Sequence, residues 1–337
     1  MPHRPAPKGR GSHLRPPNRF EQVHKEHDLE HFDEEDLEAL RDPDAPPDPA
    51  LLRHWWRMAD ELEKSMRRIA VRDGAAVAYV SVSHKLWAED RIRYGTIRVG
   101  LRGDLWTQSR FAQLVDTGET WLRDERAHRS VARVREDFER DLSALQDLGY
   151  RENRRMRLSE LDLVAGRERI LRARDESRRG MREQGVELRV LSEVDDPEKY
   201  RKLYEMIIES EQDIPTTVPW RELSFEEWMR FWFSTPTIRE DKFWVAREGG
   251  RIVGTSVLDT PMERGVPFTA YTGTLRAVRG RGIARALKYE SMGQAVEDGH
   301  TRVRTNNDTD NPPILRINEE MGYRAVAPLI ELHRELA

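Results

Sequence analysis

Three short segments occur twice in this chain, in the same order and at nearly the same spacing. Gly95-Thr96-Ile97-Arg98-Val99-Gly100-Leu101-Arg102-Gly103 parallels Gly273-Thr274-Leu275-Arg276-Ala277-Val278-Arg279-Gly280, with one residue inserted and Gly95 lying 178 positions before Gly273. Upstream, Arg72-Asp73-Gly74 matches Arg247-Glu248-Gly249 at an offset of 175, each leading into an apolar strand with a Ser-Val pair, Ser81-Val82 and Ser256-Val257. Downstream, Leu148-Gly149-Tyr150-Arg151 matches Met321-Gly322-Tyr323-Arg324 at an offset of 173. Chance turn signals do not keep order and offset together, so the pattern marks a duplicated fold. The length of 337 residues agrees with two domains.

Between the copies, Arg167-Glu168-Arg169 through Arg178-Arg179 reads as an exposed linking helix. The expected division is a disordered Pro-rich and acidic leader over 1–49, a first domain over 50–163, a helical linker over 164–185 and a second domain over 186–337. Within the first domain a helix is expected over Leu51 to Ala70, followed by two strands turning at Asp73-Gly74. In the second, the order is a strand at Val186 to Leu191, helices from Pro197 to Phe233 and a hairpin from Phe243 to Leu258 turning at Gly249-Gly250. A strand Phe268 to Leu275, a helix after Gly282, a strand Arg302 to Asn306, a helix Pro313 to Met321 and a last strand Tyr323 to Leu332 complete it. Ser224-Phe225-Glu226-Glu227 is a capping box. The expected class is therefore α/β, two tandem mixed-sheet domains.

The junction most informative about chemistry is Arg279-Gly280-Arg281-Gly282-Ile283-Ala284, between a strand and a helix. Glycines let a backbone approach a ligand, and the first turn of a helix presents unpaired N–H groups at the positive end of its dipole. That suits a pyrophosphate. A Rossmann site would need Gly-x-Gly-x-x-Gly after an early strand, and a P-loop would need Gly-Lys-Ser or Gly-Lys-Thr.

These residues resemble the GCN5-related N-acetyltransferase (GNAT) superfamily, whose acyl-CoA signature is Arg or Gln, two residues, Gly, any residue, then Gly or Ala; Arg279, Gly282 and Ala284 fill it. Thr272-Gly273-Thr274 before it, and Thr305-Asn306-Asn307 with Asn311 and Asn318 after it, are similar to that superfamily's later strand and helix. The tandem layout resembles the two-domain members typified by mycothiol synthase. The resemblance implies an N-acetyltransferase with acetyl-CoA as co-substrate, bound by Thr274, Leu275, Arg276, Arg279, Gly280, Arg281, Gly282, Ile283, Ala284, Arg285, Asn307, Asn311 and Asn318. It implies that the strand ending at Thr274-Leu275-Arg276 lends backbone amides to the pantetheine arm and thioester carbonyl, and that the amine attacks directly. Many relatives carry a Tyr acid where this chain has Asn318, so the group that protonates the leaving thiolate is open.

The first copy serves as an internal control. Asp104-Leu105-Trp106-Thr107 stands where the second has Arg281-Gly282-Ile283-Ala284, placing a repelling charge and a bulky side chain at the phosphate position. The N-terminal domain is thus expected to be degenerate, holding no CoA, and either walling the acceptor cleft or purely stabilising. Candidate bases are Asp259, Glu263 and Asp308, each otherwise a solvated loop acid, and Tyr271, otherwise a core aromatic. Asp213 and Trp220, between the helices expected to wall the acceptor, are candidate acceptor contacts. Trp228 and Trp232 are read as core.

Composition narrows the partners. With 57 Lys plus Arg against 61 Asp plus Glu, the net charge is −4, so no global basic field draws nucleic acid or anionic lipid. The absence of cysteine excludes disulfides, zinc-thiolate sites and thiol nucleophiles, and fits a cytoplasmic location with no metal expected. No apolar run approaches the ~20 residues of a membrane span. The expected acceptor is a small primary amine, favoured over a protein lysine by the acids around the cleft, in a monomer or homodimer. The competing class is a non-catalytic CoA-binding or interaction module.

Overall fold

The computed structural model describes residues 20–22, 48–73, 75–85, 91–214 and 222–336. Its elements, in chain order, begin with β1 (Phe20–Gln22), α1 (Pro49–Leu62), β2 (Glu63–Arg72), β3 (Ala75–Lys85), β4 (Tyr94–Leu101), α2 (Gln108–Asp124), β5 (Arg129–Arg135), α3 (Glu139–Asp147) and β6 (Arg151–Asp162). Helix α4 (Leu163–Glu183) leads to β7 (Glu187–Val190), α5 (Lys199–Glu211), α6 (Phe225–Phe233), β8 (Phe243–Glu248), β9 (Arg251–Asp259) and β10 (Phe268–Thr274). Then come α7 (Ile283–Glu297), β11 (Arg302–Asp308), α8 (Pro312–Met321), β12 (Arg324–Ala325) and β13 (Leu329–Glu335). This is the expected tandem α/β plan, and the second half follows the expected element order closely.

All these strands join one mixed sheet, in the order β1-β2-β3-β4-β5-β13-β6-β11-β10-β9-β8-β7, with β12 also pairing β6. The order contains an exchange that the sequence did not announce. β6 follows the Gly149-Tyr150 copy of a repeated segment, and β13 follows the Gly322-Tyr323 copy. Yet β13 pairs β5, from Leu329↔Arg135 to Glu335↔Arg129, while β6 pairs β11, from Arg302↔Asp162 to Asp308↔Met156. Each half places its last strand beside the other's sheet. The seam is therefore backbone hydrogen bonding, and the last strand does not close the sheet of residues 186–337 alone.

Three other expectations differ from the structure. The helix expected to reach Ala70 ends at Leu62, and Glu63 opens β2. Met66, Ile69 and Ala70 are buried at helix-like spacing, but in a strand with a bulge between Ala70 and Val71 that resets the register against β3. The linker helix α4 is not an exposed spacer. It buries Leu163, Gly166, Ile170 and Met181, and its basic face pairs with α7 through Arg174–Glu297 at 2.6 Å and Arg178–Glu290, where Glu290 is only 1% exposed. Finally, parts of the leader expected to be disordered are built into the fold: Phe20–Gln22 pairs β2, and Asp48 is buried. The rest of 1–47 lies outside the described residues.

The second half's main core lies between the sheet and α5, α6 and α7, with Trp232 packed edge to face on Phe243 and Tyr271, and Trp228 on Tyr204 and Phe233. The capping box at Ser224 closes both ways, Ser224 Oγ accepting from Glu227 N–H and Glu227 accepting from Ser224 N–H. In the first half, Gly118 of α2 lets the helix sit on β3 and β4: a Cβ there would meet Ile97 at 2.6 Å and Val82 at 2.9 Å.

Candidate active site

Strands β10 and β11 run parallel but share only one paired position, Phe268↔Arg304. A register shift between Thr269 and Tyr271, where β10 pairs β9, bends β10 just beyond this point. The strands then part and leave the backbone edge of β10 facing a gap. In the first half the equivalent pair, β4 and β5, stays together for four positions, Tyr94↔Arg129 to Ile97↔Ala132.

The gap opens into a cleft of about 710 Å³ lined by β10, the start of α7, the start of α8 and the end of α5. After β10 the chain makes a short 3-10 turn at Arg276–Val278 and reaches Gly280 and Gly282, at φ of +79° and +82°. Gly282 is the N-cap of α7, and Ala286 N–H is the donor to its carbonyl. The left-handed pair turns the free N–H groups of the first helical turn towards the cleft. In the first half, Gly103 is not left-handed; Arg102 pairs with Asp104 at 2.6 Å, and Thr107 accepts from Arg110 N–H to cap α2. Two copies of one sequence have diverged into a cradle and an ordinary helix start.

The expected CoA residues divide between cleft wall and supporting structure. Thr274, Arg279, Gly280, Gly282, Ile283 and Ala284 line the cleft, as do Arg285 and Asn311. Leu275, Arg276, Arg281, Asn307 and Asn318 do not. Leu275 N–H donates to Val253 C=O at 3.0 Å, and Arg276 N–H donates to Glu209 at 3.0 Å, so neither amide serves the thioester as expected. Successive strand amides point to opposite edges, so with Leu275 directed at β9, the N–H of Thr274 points into the gap. Asn318 is 2% exposed and donates to Asn307 Oδ1 at 2.7 Å, tying α8 to β11 instead of facing the cleft.

Each cradle arginine is held by a carboxylate. Asp213 takes both Arg276 and Arg279, the latter at 2.6 Å, and these two guanidinium groups hold its carboxyl far below the ordinary aspartate range. Arg281 pairs with Glu248 at 2.9 Å and Arg285 with Glu320 at 3.0 Å. Asp213 lines the cleft, but as the clamp on these arginines rather than as an exposed acid for an amine. Trp220 lies outside the described residues.

Of the candidate bases, Asp308 is buried and ion-paired with Arg154, and Glu263 is exposed and paired with Arg53 at 3.1 Å. Both are occupied elsewhere. Tyr271 does line the cleft, its hydroxyl 2.6 Å from Ser210 Oγ. Ser210 directs its own hydrogen at the carbonyls of Met206 and Ile207, so Tyr271 is the donor of that pair and its remaining lone pairs can accept from a ligand N–H. Burial pushes the phenol well above its usual range, which makes Tyr271 an orienting group and not a base. Asp259 is different. Burial raises its carboxyl above the ordinary value, Thr237 beside it offsets part of this, and the negative charge of Asp48 adds to it. It pairs across from Phe268, outside the residues that line the cleft, and shares the sheet face of Val257 and Tyr271.

Ser210, Ile214 and two apolar residues of α8, Ile314 and Ile317, also line the cleft and were missed from sequence. The Pro312-Pro313 pair that starts α8 was the available signal. Among the described residues, no group of three or more His, Cys, Asp or Glu could hold a metal, and no helix is long and apolar enough to cross a membrane.

Residues 201–323, which contain the cleft, match the family model "Acetyltransferase (GNAT) family". No curated protein matches the sequence. Among solved structures, the chain is similar to a tandem GNAT protein from the clavulanic acid biosynthesis pathway, at 15% identity and TM-score 0.69, covering 94% of this chain and 98% of that one. It is also similar to a GCN5-related N-acetyltransferase from Sphaerobacter thermophilus, at 20% identity and TM-score 0.61, covering 84% and 85%. A GNAT-family acetyltransferase from Colwellia psychrerythraea aligns at 9% identity and TM-score 0.58 over 94% and 100%. The resemblance to mycothiol synthase in particular is not among these matches. The chain thus has the fold of tandem GNAT proteins, and the part of its second half that holds the Gly280/Gly282 cradle and the splayed strands matches the GNAT acetyltransferase family model.

Proposed function

We propose that the chain transfers an acetyl group from acetyl-CoA to the primary amine of a small molecule, at the cleft of the second half and by direct attack. The observation that carries this is the Gly280/Gly282 cradle, which opens α7 at the end of β10 where that strand has parted from β11. Such a site suits a ligand with a pyrophosphate at one end and an extended, amide-bearing arm at the other. The N–H groups of Ile283, Ala284 and Arg285 would receive the pyrophosphate, with Arg279 and Arg285 at the rim. The gap-facing N–H of Thr274 would pair with the arm.

The amine must be neutral to attack. Its nitrogen forms the new C–N bond as the C–S bond breaks, and its proton passes to Asp259, directly or through water. Asp259 is the one candidate carboxylate without an ion-pair partner among the described residues, and its raised pKa makes it a better base than an ordinary aspartate. Tyr271 would orient the incoming N–H. Asn318 is turned away and supplies no proton, so the thiolate leaves to solvent. The small-amine reading over a protein lysine is supported by the contacts that fix α1 to the loop leading into β10, Asp48 with the amides of Met262, Glu263 and Arg264, and Arg53 with Glu263.

The buried Asn318 also favours a second reading, a CoA-binding module without turnover. The two are separated by incubating the chain with acetyl-CoA and a panel of amino sugars, polyamines and amino-acid derivatives, and following thiol release. With no cysteine in the chain, a thiol reagent reports released CoA directly. Amine-dependent release supports transfer; binding of CoA without release for any amine supports the module.

A further inference from the structure

We infer that Asp48, outside the acetyltransferase domain, is a positioning residue that staples α1 onto the acceptor end of the second-half cleft. Its carboxylate is 3% exposed and fully used. One oxygen caps α1, accepting Leu51 N–H at 3.2 Å. The other accepts three consecutive backbone amides of the loop after β9: Met262 at 2.8 Å, Glu263 at 2.7 Å and Arg264 at 3.3 Å. Successive amides converging on one oxygen form an anion nest, here filled by a residue more than 200 positions away in sequence.

The rest of α1 follows this anchor onto the same region. Arg53 pairs with Glu263 at 3.1 Å, His54 meets Thr235 at 3.2 Å, and the rings of Trp55 and Phe231 lie 5.6 Å apart. Helix α1 thus spans from the loop at 260–264 to the end of α6. That loop feeds β10, whose opposite end is the phosphate cradle, seven residues and roughly 23 Å away at about 3.3 Å per residue. A ligand with its phosphates at one end of β10 directs its reacting end towards the other. Asp259, the last residue of β9, sits beside the stapled loop. Helix α1 is then a wall of the acceptor site, and Asp48 sets its distance from Asp259.

This inference rests on the proposed transfer to an amine, and the experiment separates the two. Asp48→Asn keeps the side-chain volume and the cap oxygen while weakening the nest, in the full-length chain. CoA affinity by calorimetry should stay within twofold of wild type. The KM for the best amine of the panel should rise at least tenfold with kcat changed less than threefold. Exchange of the Met262, Glu263 and Arg264 amides should accelerate at least tenfold. Unchanged amine KM, or an equal loss of CoA affinity and turnover, would overturn the positioning role. Arg53→Ala, which removes the surface pair with Glu263, should raise the amine KM by a factor of two or three. Wild-type protein that binds CoA yet acetylates no amine refutes the proposed function instead; exchange at 262–264 then decides the staple alone, unchanged rates discarding it.

Discussion

Gly282 is the position where a single methyl group should separate folding from ligand binding. A Cβ at residue 282 would meet nothing closer than Arg285 Nη2 at 3.6 Å, so Gly282→Ala causes no collision. Its cost is conformational: holding an L-residue at a φ of +82° costs about 1–2 kcal/mol, against about 0.4–1 kcal/mol returned by a stiffer unfolded chain. Net destabilisation is about 1 kcal/mol, a few degrees of melting temperature for a protein of this size. The chain can relieve the strain only by rotating the peptide that follows, which swings the Ile283 N–H away from the cleft. Losing one hydrogen bond to a charged phosphate is worth about 1.5–3 kcal/mol, or roughly 10- to 150-fold in CoA affinity. Gly282→Leu, which also places a branched side chain at the start of α7, should remove measurable binding; the first half has no such cradle, its helix α2 being capped by Thr107 while Leu105 packs against its core. Calorimetry with CoA, paired with a melting curve, reads both quantities. Folded variants that bind CoA like wild type would show that the phosphate site lies elsewhere.

Three other outcomes follow. Asp213→Asn releases Arg276 and Arg279 from their shared carboxylate, so CoA affinity should rise about threefold at low salt, an advantage that fades as salt screens the cradle. If Asp259 is the base it acts deprotonated, so the kcat/KM for the amine should fall as pH drops through its carboxyl pKa, and burial places that limb above the ordinary aspartate range; Asp259→Asn should remove the limb, and a profile identical to wild type would exclude it. Residues 186–337 alone should fail to form a folded monomer, because β11 loses β6 and β13 loses both neighbours; a monodisperse, cooperatively melting fragment would contradict the strand exchange.

Local features were legible and long-range capture was not. The repeat, the capping box at Ser224, the hairpin turning at Gly249-Gly250 and the cradle at Gly280 and Gly282 are written in residues close in sequence, where turn and helix chemistry is decided. The fates of the acids were decided by arginines far away: Asp213 by Arg276 and Arg279, Glu263 by Arg53, Asp308 by Arg154. No spacing rule connects these partners, and each removed a candidate from the site. The exchange of β6 and β13 was hidden for a related reason. Both follow the same Gly-Tyr-Arg segment, so a pattern that finds the duplication says nothing about which copy each strand will pair with. Asp48 was passed over because its surroundings are polar and Pro-rich, although one buried carboxylate with four amide donors suffices to fix a segment. The helix expected to run to Ala70 failed at Glu63 because Met66, Ile69 and Ala70 mimic helical spacing, while pairing with β3 dictates a strand.

A crystal structure of the full chain grown with acetyl-CoA decides whether one cleft of one half binds the acyl donor. One ligand per chain is expected, with its pyrophosphate on the N–H groups of Ile283, Ala284 and Arg285, its arm along the β10 edge at Thr274, and its acetyl group directed towards Tyr271 and Asp259. Density for CoA at the Gly103-Asp104-Leu105 turn of the first half, or an arm running away from the β10–β11 gap, would contradict it.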